Sequence, residues 1–237
     1  MSAAPPLPGA SAFHTLPPEP PTRRGRQTRA RLIRAAETVF GDVGYYDTRV
    51  SEITREAGVA LGTFYLYFPS KEVLFRALVA SLNHDLRRTL REGTETLPTR
   101  AAAEAEGLRL FFRFMLRHRK LYRIVKEAAS VDPALYREYV ARIAQGYRDG
   151  LARAMETGEV KQADPELFAY ALMGIAETVA TRYVIWEDGM TEGKFDQLME
   201  LILHGLLVDN GGERGTIPRG RPRPSRAARS ARGNGRR

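Results

Sequence analysis

Apolar residues recur at helical spacing from about residue 28 to residue 208, and the sequence lacks the alternating β-branched runs that mark strands. Helices with one apolar face bury that face by packing against other helices. With 237 residues, of which 43% are hydrophobic, the chain is long enough to enclose the core of one or two domains. The sequence therefore predicts an all-α fold.

Capping residues and helix breakers divide this pattern into separate helices. Thr28 is expected to cap a first helix that runs to Phe40 and is interrupted at Gly41. Ser70 is a suitable N-cap for a long helix in which leucine recurs every four residues, and we expect this helix to link two domains. The other predicted helices span 50–57, 61–68, 101–117, 119–129, 133–156, 165–186 and 194–208.

Residues 48 to 71, TRVSEITREAGVALGTFYLYFPSK, place two short helices on either side of a glycine turn. Ile53, Val59 and Phe64 are spaced so that they can pack on the inside of the pair. Gly58 can adopt the turn conformation that other residues resist. This arrangement predicts a helix-turn-helix motif.

The segment EAGVALGTFYLYFPSKEVLF resembles the DNA-binding signature of the TetR family, the tetracycline-repressor type of regulator. The resemblance covers about residues 26 to 75 closely, and the rest of the chain fits the family only in its length and number of helices. Thr54 departs from the pattern, because the family usually has alanine at this position facing the turn. The resemblance implies a three-helix DNA-binding domain over 23–70 and a helical bundle for ligand binding and dimerisation over 71–209.

By this resemblance, the helix from Leu61 to Phe68 enters the major groove of a double-stranded operator. The implied DNA contacts are made by Thr48, Leu61, Gly62, Thr63, Tyr65, Tyr67 and Lys71. Leu61 and Gly62 would lie nearest the bases, and the hydroxyls of Thr63, Tyr65 and Tyr67 would reach phosphates. Thr48 would cap the second helix beside the DNA backbone, and Lys71 would add a positive charge. Because Leu61 and Gly62 donate no side-chain hydrogen bond, contact with thymine methyls and DNA shape would supply much of the specificity.

Several residues in this region have a second interpretation. Phe64 and Phe68, four positions apart, are expected in the core rather than on DNA. Tyr65 and Tyr67, taken without the motif, would be ordinary exposed aromatic residues. A cluster of arginines is equally compatible with DNA-backbone or minor-groove contacts and with a solvated basic linker. The cluster comprises Arg23, Arg24, Arg26 and Arg29.

The last two predicted helices are expected to form a homodimer, because a two-fold operator needs two recognition helices about 34 to 36 Å apart. The stretch from Leu167 to Trp186 is apolar nearly all round, and its small residues permit close approach of a partner. An entirely intramolecular core is the alternative. A membrane span is disfavoured because Glu177 lies at the middle of this stretch and Arg182 follows.

The resemblance also implies a cavity in the middle of the bundle for a small-molecule inducer, for which an acyl-CoA or another large apolar ligand is a candidate. The aromatic residues that are frequent there either line this cavity or only fill the core. Arg109, Arg113 and Arg117 form a basic stripe at four-residue spacing. The stripe is either a solvated helix face or a seat for an anionic group such as the phosphates of an acyl-CoA. The candidate ligand-binding residues are Arg109, Phe112, Arg113, Met115, Tyr122 and Tyr139.

The formal net charge of +9 is concentrated at the C-terminus, because residues 210–237 contain nine arginines and one acid and so carry +8. This segment and the Pro-rich residues 1–22 are predicted to be disordered. The basic tail either attracts DNA or serves only solubility.

Other classes of function find little support in the sequence. There is no cysteine, the four histidines lack metal-ligand spacing, and no glycine loop could cradle a phosphate. We therefore expect neither an enzyme nor a protein with a metal or cofactor, and a cytoplasmic location follows from the lack of a signal peptide. The favoured function is a ligand-released repressor, and the alternative is an architectural or RNA-binding basic helical protein.

Overall fold

The computed structural model describes residues 16–187 and 189–205, apart from the side chain of Leu121. These residues form nine α-helices and no strand, which confirms the all-α prediction. The helices are α1 (Arg23–Val43), α2 (Val50–Ala57), α3 (Leu61–Tyr65), α4 (Lys71–Thr94), α5 (Arg100–Arg117), α6 (Arg119–Val131), α7 (Pro133–Glu156), α8 (Pro165–Val179) and α9 (Glu192–His204). A π-helical turn, Ala180–Ile185, continues α8, and a compact unit ends at Leu203. None of these helices has the length and apolar composition needed to cross a membrane.

The first helix begins five residues earlier than its predicted cap. The Thr22 side chain accepts a hydrogen bond from the Gly25 N–H at 3.0 Å and is therefore the N-cap. Thr28 lies inside the helix, where its hydroxyl donates to the carbonyl of Arg24. The prediction that Thr28 is the cap was wrong because the first turn of α1 is rich in arginine, and apolar periodicity does not reach it.

The third helix is shorter than predicted and ends at Tyr65 instead of Phe68. The chain nevertheless stays coiled, because the N–H groups of Tyr67 and Phe68 both donate to the carbonyl of Phe64, at 3.0 and 2.9 Å. Pro69 disfavours helical geometry in the residue before it, which explains the tightened end.

Three longer helices start at a side-chain cap, and the first of these caps, Ser70, was predicted from the sequence. The Ser70 hydroxyl accepts from the N–H of Val73 at the start of α4. Asp132 and Asp164 cap α7 and α8 in the same way, each followed by a proline at the first helical position. Proline suits that position because its missing N–H would have no partner within the helix.

One continuous core connects the helix-turn-helix region with the larger bundle. It extends from Leu32 on α1 to Met199 on α9, and Phe64 and Phe68 are completely buried in it, as predicted. A smaller cluster, around Leu151, joins α7 to α8. The two parts of the chain therefore share apolar contacts along their boundary.

The crossing of α6 over α1 is especially close. A Cβ atom on Gly41 would lie only 2.2 Å from the Cβ of Lys120, so the crossing requires glycine at this position. An ion pair and a hydrogen bond flank it: Lys120 lies 2.6 Å from Asp42, and the His118 ring nitrogen lies 2.8 Å from the Glu37 carboxylate.

Part of the segment predicted to be an N-terminal tail contacts α1. Leu16 packs against the core, and Glu19 lies 3.0 Å from Arg29. Arg26 donates to the carbonyl of Pro21 at 2.8 Å. Residues 1–15 and the predicted basic tail, 210–237, lie outside the described residues.

Candidate DNA interface and ligand cavity

The turn between α2 and α3 is stabilised by its own backbone hydrogen bonds and by a side chain of α1. Gly58 has a φ of +62°, a left-handed conformation that glycine adopts without strain. Val59 donates its N–H to the carbonyl of Thr54, which is buried despite its departure from the family pattern. The Arg31 guanidinium of α1 donates to the carbonyls of Ala57 and Gly58. The angle between the two short helices is thus supported by α1.

The outer surface of α3 is mainly apolar. Leu61 is 50% exposed and Leu66, just after the helix, is 82% exposed. Between them Gly62 faces open space, since a Cβ there would meet no atom within 4 Å. Leu66 was missed in the sequence analysis, although its position two residues from both Phe64 and Phe68 places it on the face opposite the core.

The three hydroxyl-bearing residues of this region differ in their accessibility. Tyr65 is exposed, and its ring packs edge-on against Phe64 with centroids 5.1 Å apart. Tyr67 is half-buried and packs against the core, and Thr63 is also half-buried. Tyr65 therefore has the most freedom to reach a bound molecule.

Thr48 does not cap α2, contrary to the sequence analysis. It is only 2% exposed, and its hydroxyl donates to the carbonyl of Gly44 at 2.6 Å. The N-cap is Arg49, whose N–H donates to the Glu52 carboxylate at 2.8 Å. Thr48 therefore stabilises the connection between α1 and α2, and its hydroxyl proton is used within the chain.

Lys71 also points inward, where the sequence analysis expected a charge on the DNA side. Its ammonium donates to the carbonyls of Tyr45 and Thr48, at 2.7 and 2.8 Å, and lies 4.5 Å from the centre of the Tyr45 ring. Burial lowers the pKa of Lys71, and nearby Asp47 partly opposes this. The geometry assigns Lys71 to the support of the chain that leads into α2.

A cavity of about 830 Å³ lies among helices α4 to α8. Its walls are mainly apolar and aromatic, which suits the apolar part of a ligand. Three of the candidate ligand residues, Met115, Tyr122 and Tyr139, line it. Burial raises the pKa of Tyr139, so this phenol stays protonated across the ordinary pH range.

The other three candidates do not line the cavity. Arg109 stacks on Phe195 of α9, with 3.9 Å between guanidinium and ring centre, and forms an ion pair with Glu192 at 2.7 Å. Phe112 packs edge-on against the same Phe195, and Arg113 is exposed. The four-residue spacing of these arginines could not show which neighbour each of them would meet: Arg109 contacts α9, whereas Arg113 pairs with Glu106 of α5 itself.

The polar groups of the cavity were not identified from the sequence. Three exposed arginines line the cavity, namely Arg87 and Arg91 on α4 and Arg153 on α7. None of them forms an ion pair with another described residue. The first two lie in the half of α4 farther from the helix-turn-helix. Their spacing of four residues was visible in the sequence but indistinguishable from an ordinary solvated face.

Two internal ion pairs also belong to the cavity wall. Arg100 pairs with Glu104, whose carboxylate accepts a hydrogen bond from the Tyr147 hydroxyl. Burial and Glu104 together raise the pKa of Tyr147. On the α6 side, Lys126 lies 2.9 Å from Glu177, and this hydrogen bond raises the pKa of Lys126.

Among the described residues, no group of three His, Asp or Glu side chains could hold a metal ion.

Comparison with known proteins agrees with this architecture. The family model for bacterial regulatory proteins of the tetR family matches residues 32–78. The uncharacterized HTH-type transcriptional regulator YdgC of Bacillus subtilis is 26% identical over 192 residues, which are 78% of this chain and 95% of YdgC. The fatty acid metabolism regulator protein of B. subtilis is 25% identical over 195 residues, 78% of this chain and 98% of that protein.

A solved structure has the same fold over most of its length. The transcriptional regulator FadR from B. subtilis, in complex with stearoyl-CoA, superposes with a TM-score of 0.63 at 23% identity, covering 75% of this chain and 99% of FadR. The matched residues run from the middle of α1 into the first two turns of α4 and include the helix-turn-helix, and the similarity to regulators extends through the bundle. Residues 32–78 therefore carry the DNA-binding region of the tetR family of bacterial regulatory proteins, and the chain is a helix-turn-helix transcriptional regulator.

Proposed function

We propose that this regulator is a repressor that binds a palindromic operator as a homodimer and is released when an amphiphilic acyl-CoA occupies the cavity. The observation that carries the proposal is the cavity itself, which combines mainly apolar walls with three arginines that have no ion-pair partner among the described residues. Its wall includes α4, the helix that begins directly after the helix-turn-helix. A ligand there can therefore act on the DNA-binding end of the chain.

The two kinds of lining match the two ends of such a ligand. The acyl chain would lie among apolar side chains such as Phe111 and Met115. The phosphates would meet Arg87, Arg91 and Arg153, because guanidinium groups bind phosphate oxygens in pairs of hydrogen bonds. The stearoyl-CoA complex of FadR, a protein of the same fold, supports this ligand class. This assignment replaces the earlier one, in which Arg109 and Arg113 would hold the anionic group.

For DNA binding, we assign base contacts to the exposed apolar surface of Leu61, Gly62 and Leu66. The hydroxyls of Thr63, Tyr65 and Tyr67 would contact the phosphate backbone. An apolar recognition surface favours thymine methyl groups in the major groove.

The dimer would form through α8 and α9. The exposed residues of α8 include a stripe at helical spacing, namely Leu167, Ala171, Gly174 and Thr178. Leu201 on α9 is also exposed and apolar. A second copy of the chain is the fitting occupant, because a two-fold operator requires two recognition helices in a fixed relation.

Footprinting of genomic DNA selected by the purified protein tests the operator and the ligand together. We expect protection of a short palindrome and loss of protection when stearoyl-CoA is added. Arg91→Ala should require more stearoyl-CoA for release, whereas Arg109→Ala, on the stripe outside the cavity, is the matched control. Binding to any DNA or to RNA with equal affinity would instead support the architectural or RNA-binding alternative.

A further inference from the structure

The connection between α1 and α2, residues 44–48, is held by side chains from different parts of the chain. We call it the 44–48 loop. From α4, Lys71 donates to two of its carbonyls, and within the loop Thr48 donates to Gly44. From α6, the Glu127 carboxylate accepts the backbone N–H of Tyr45 at 2.7 Å. Glu127 is therefore a contact of α6 with this loop, in addition to the contacts from α4.

The approach of Glu127 depends on a glycine. A Cβ atom on Gly44 would lie 2.7 Å from the Glu127 carboxylate and 2.8 Å from the guanidinium of Arg123. Gly44 also has a φ of +90°, which L side chains rarely adopt. Arg123 in turn donates to Glu127 and to the carbonyl of Asp42, at 3.3 and 2.8 Å. The carboxylate is thus fixed in place and makes a charge-assisted hydrogen bond to the loop.

The residue next to Glu127 belongs to the cavity. Lys126 lines it, and its ammonium lies 2.9 Å from Glu177 of α8 and 5.5 Å from the centre of the Tyr122 ring. Consecutive residues of a helix point about 100° apart. A single turn of α6 therefore contacts the cavity through Lys126 and the 44–48 loop through Glu127.

We propose that Glu127 is a positioning residue for DNA binding, and that the Lys126–Glu177 pair holds α6 where Glu127 can bind the 44–48 loop. A ligand that separates Lys126 from Glu177 lets α6 move and withdraws Glu127 from Tyr45. The loop leads directly into α2, so the helix-turn-helix loses one of its supports. The ligand half of this inference rests on the proposed function; the role of Glu127 in the free protein does not.

The full-length chain can test both halves with four variants. Glu127→Ala removes the acceptor, whereas Glu127→Gln keeps an oxygen that can accept from Tyr45. Glu177→Gln weakens the pair at the cavity, and the double change Lys126→Glu with Glu177→Lys restores a pair of reversed polarity. Asp85→Asn is the control, because it breaks a similarly exposed pair with Arg88, at 3.1 Å, that lies within α4 and does not join two helices.

Hydrogen exchange of peptides covering residues 41–48 provides a readout that needs neither ligand nor operator. We expect faster exchange in Glu127→Ala and in Glu177→Gln, near-normal exchange in Glu127→Gln and in the reversed pair, and no change in Asp85→Asn. Unchanged exchange in Glu127→Ala would overturn the role of Glu127. Unchanged exchange in Glu177→Gln would overturn the link to the cavity.

Affinity for the DNA selected by the wild-type protein is the second readout. Glu127→Ala should lose about tenfold, the size expected for a hydrogen bond to a charged group, while stearoyl-CoA binding stays unchanged. Glu177→Gln should lose about threefold, because a half-exposed ion pair contributes little. Since the two act in sequence, combining them should add nothing to Glu127→Ala alone. Fully additive losses would overturn the coupling.

These readouts separate the two proposals. If no DNA is selected or stearoyl-CoA does not bind, the proposed function fails, and the exchange of residues 41–48 still reports on Glu127. If DNA and stearoyl-CoA both bind but the exchange is unaffected by the variants, the present inference fails and the proposed function stands.

Discussion

At the scale of single residues, the apolar side chains of α3 and the turn after it fall into a buried and an exposed group. Phe64 and Phe68 are fully buried and fasten the helix-turn-helix to the core, whereas Leu61 and Leu66 extend into solvent. Exposed apolar groups of this size are stabilised only when a partner covers them. We therefore expect them to contribute to DNA binding and not to folding.

Changing Leu66 to alanine tests this division. Thermal or denaturant unfolding should change by less than about 0.5 kcal/mol, because the side chain contacts little in the free protein. Affinity for the selected operator should fall about tenfold, with the loss concentrated at one or two base positions across a panel of operator variants. Phe68→Ala is the opposite case and should destabilise the fold by about 3–5 kcal/mol. Equal loss on all DNA sequences in Leu66→Ala would argue against base reading.

Lys71 gives a second test at this scale. Because its ammonium is hydrogen-bonded to the carbonyls of Tyr45 and Thr48, Lys71→Met should lower the free energy of unfolding by about 1–3 kcal/mol. Operator affinity should fall, but the slope of log affinity against log salt concentration should not change. A slope shallower by about 0.9 would instead mean that Lys71 neutralises a phosphate.

At the scale of elements, α3 combines a short length with a glycine that faces outward. A Cβ added to Gly62 meets nothing in the free protein, and alanine is the better helix former. The same Cβ would stand on the surface proposed to approach the bases. The glycine thus weakens the helix slightly while leaving room for close contact.

Gly62→Ala should therefore separate stability from binding. We expect the free energy of unfolding to rise by about 0.5–1 kcal/mol while operator affinity falls or its base preference changes. Gly146→Ala on α7 is the control, because it too meets no atom within 4 Å but lies outside the helix-turn-helix. It should stabilise the protein similarly and leave operator affinity unchanged. Undiminished affinity and unaltered base preference in Gly62→Ala would exclude close approach at this position.

The helix-turn-helix and the 44–48 loop differ in how well the sequence predicts them. The helix-turn-helix was predictable because Gly58, the buried Phe64 and the Ser70 cap each have few alternative uses. The internal hydrogen bonds of Thr48 and Lys71 were not predictable, because a hydroxyl or an ammonium can donate to a backbone carbonyl as readily as to a phosphate. Only the path of the 44–48 loop decides between these two acceptors.

The ligand-facing side of α5 was unpredictable for a related reason. Its aromatic residues and arginines lie on several sides of the helix, and every side could meet another helix. Met115 faces the cavity while Phe112, three residues earlier, faces α9. The choice depends on long-range packing, which periodicity does not encode.

At the scale of the whole molecule, two recognition helices must act together if a palindrome is to be bound. The exposed apolar residues of α8 and α9 form the surface that we propose for that purpose, with Leu167 62% exposed. A dimer with a standard interface would cover these residues, which otherwise lie against water at a free-energy cost.

The double variant Leu167→Arg with Leu201→Arg should therefore convert the dimer to a monomer. Sedimentation equilibrium should show this change while circular dichroism shows retained helicity, and operator affinity should fall by at least about a hundredfold as the linked half-sites are lost. Leu116→Arg, at an equally exposed leucine of α5, is the control and should remain dimeric. A dimer that survives the double change would require a different interface.

The close crossing at Gly41 limits which DNA-binding domains could be joined to this bundle by recombination. Lys120, from the bundle, fills the space that any side chain at residue 41 would need. If these first 70 residues were joined to a foreign bundle, that bundle would need a side chain that packs against Gly41 as Lys120 does. Conversely, a foreign N-terminal domain with alanine at this position would clash with Lys120 of this bundle. Point changes on the exposed surface of α3 would leave this crossing intact, whereas exchange of the whole DNA-binding domain would have to rebuild it.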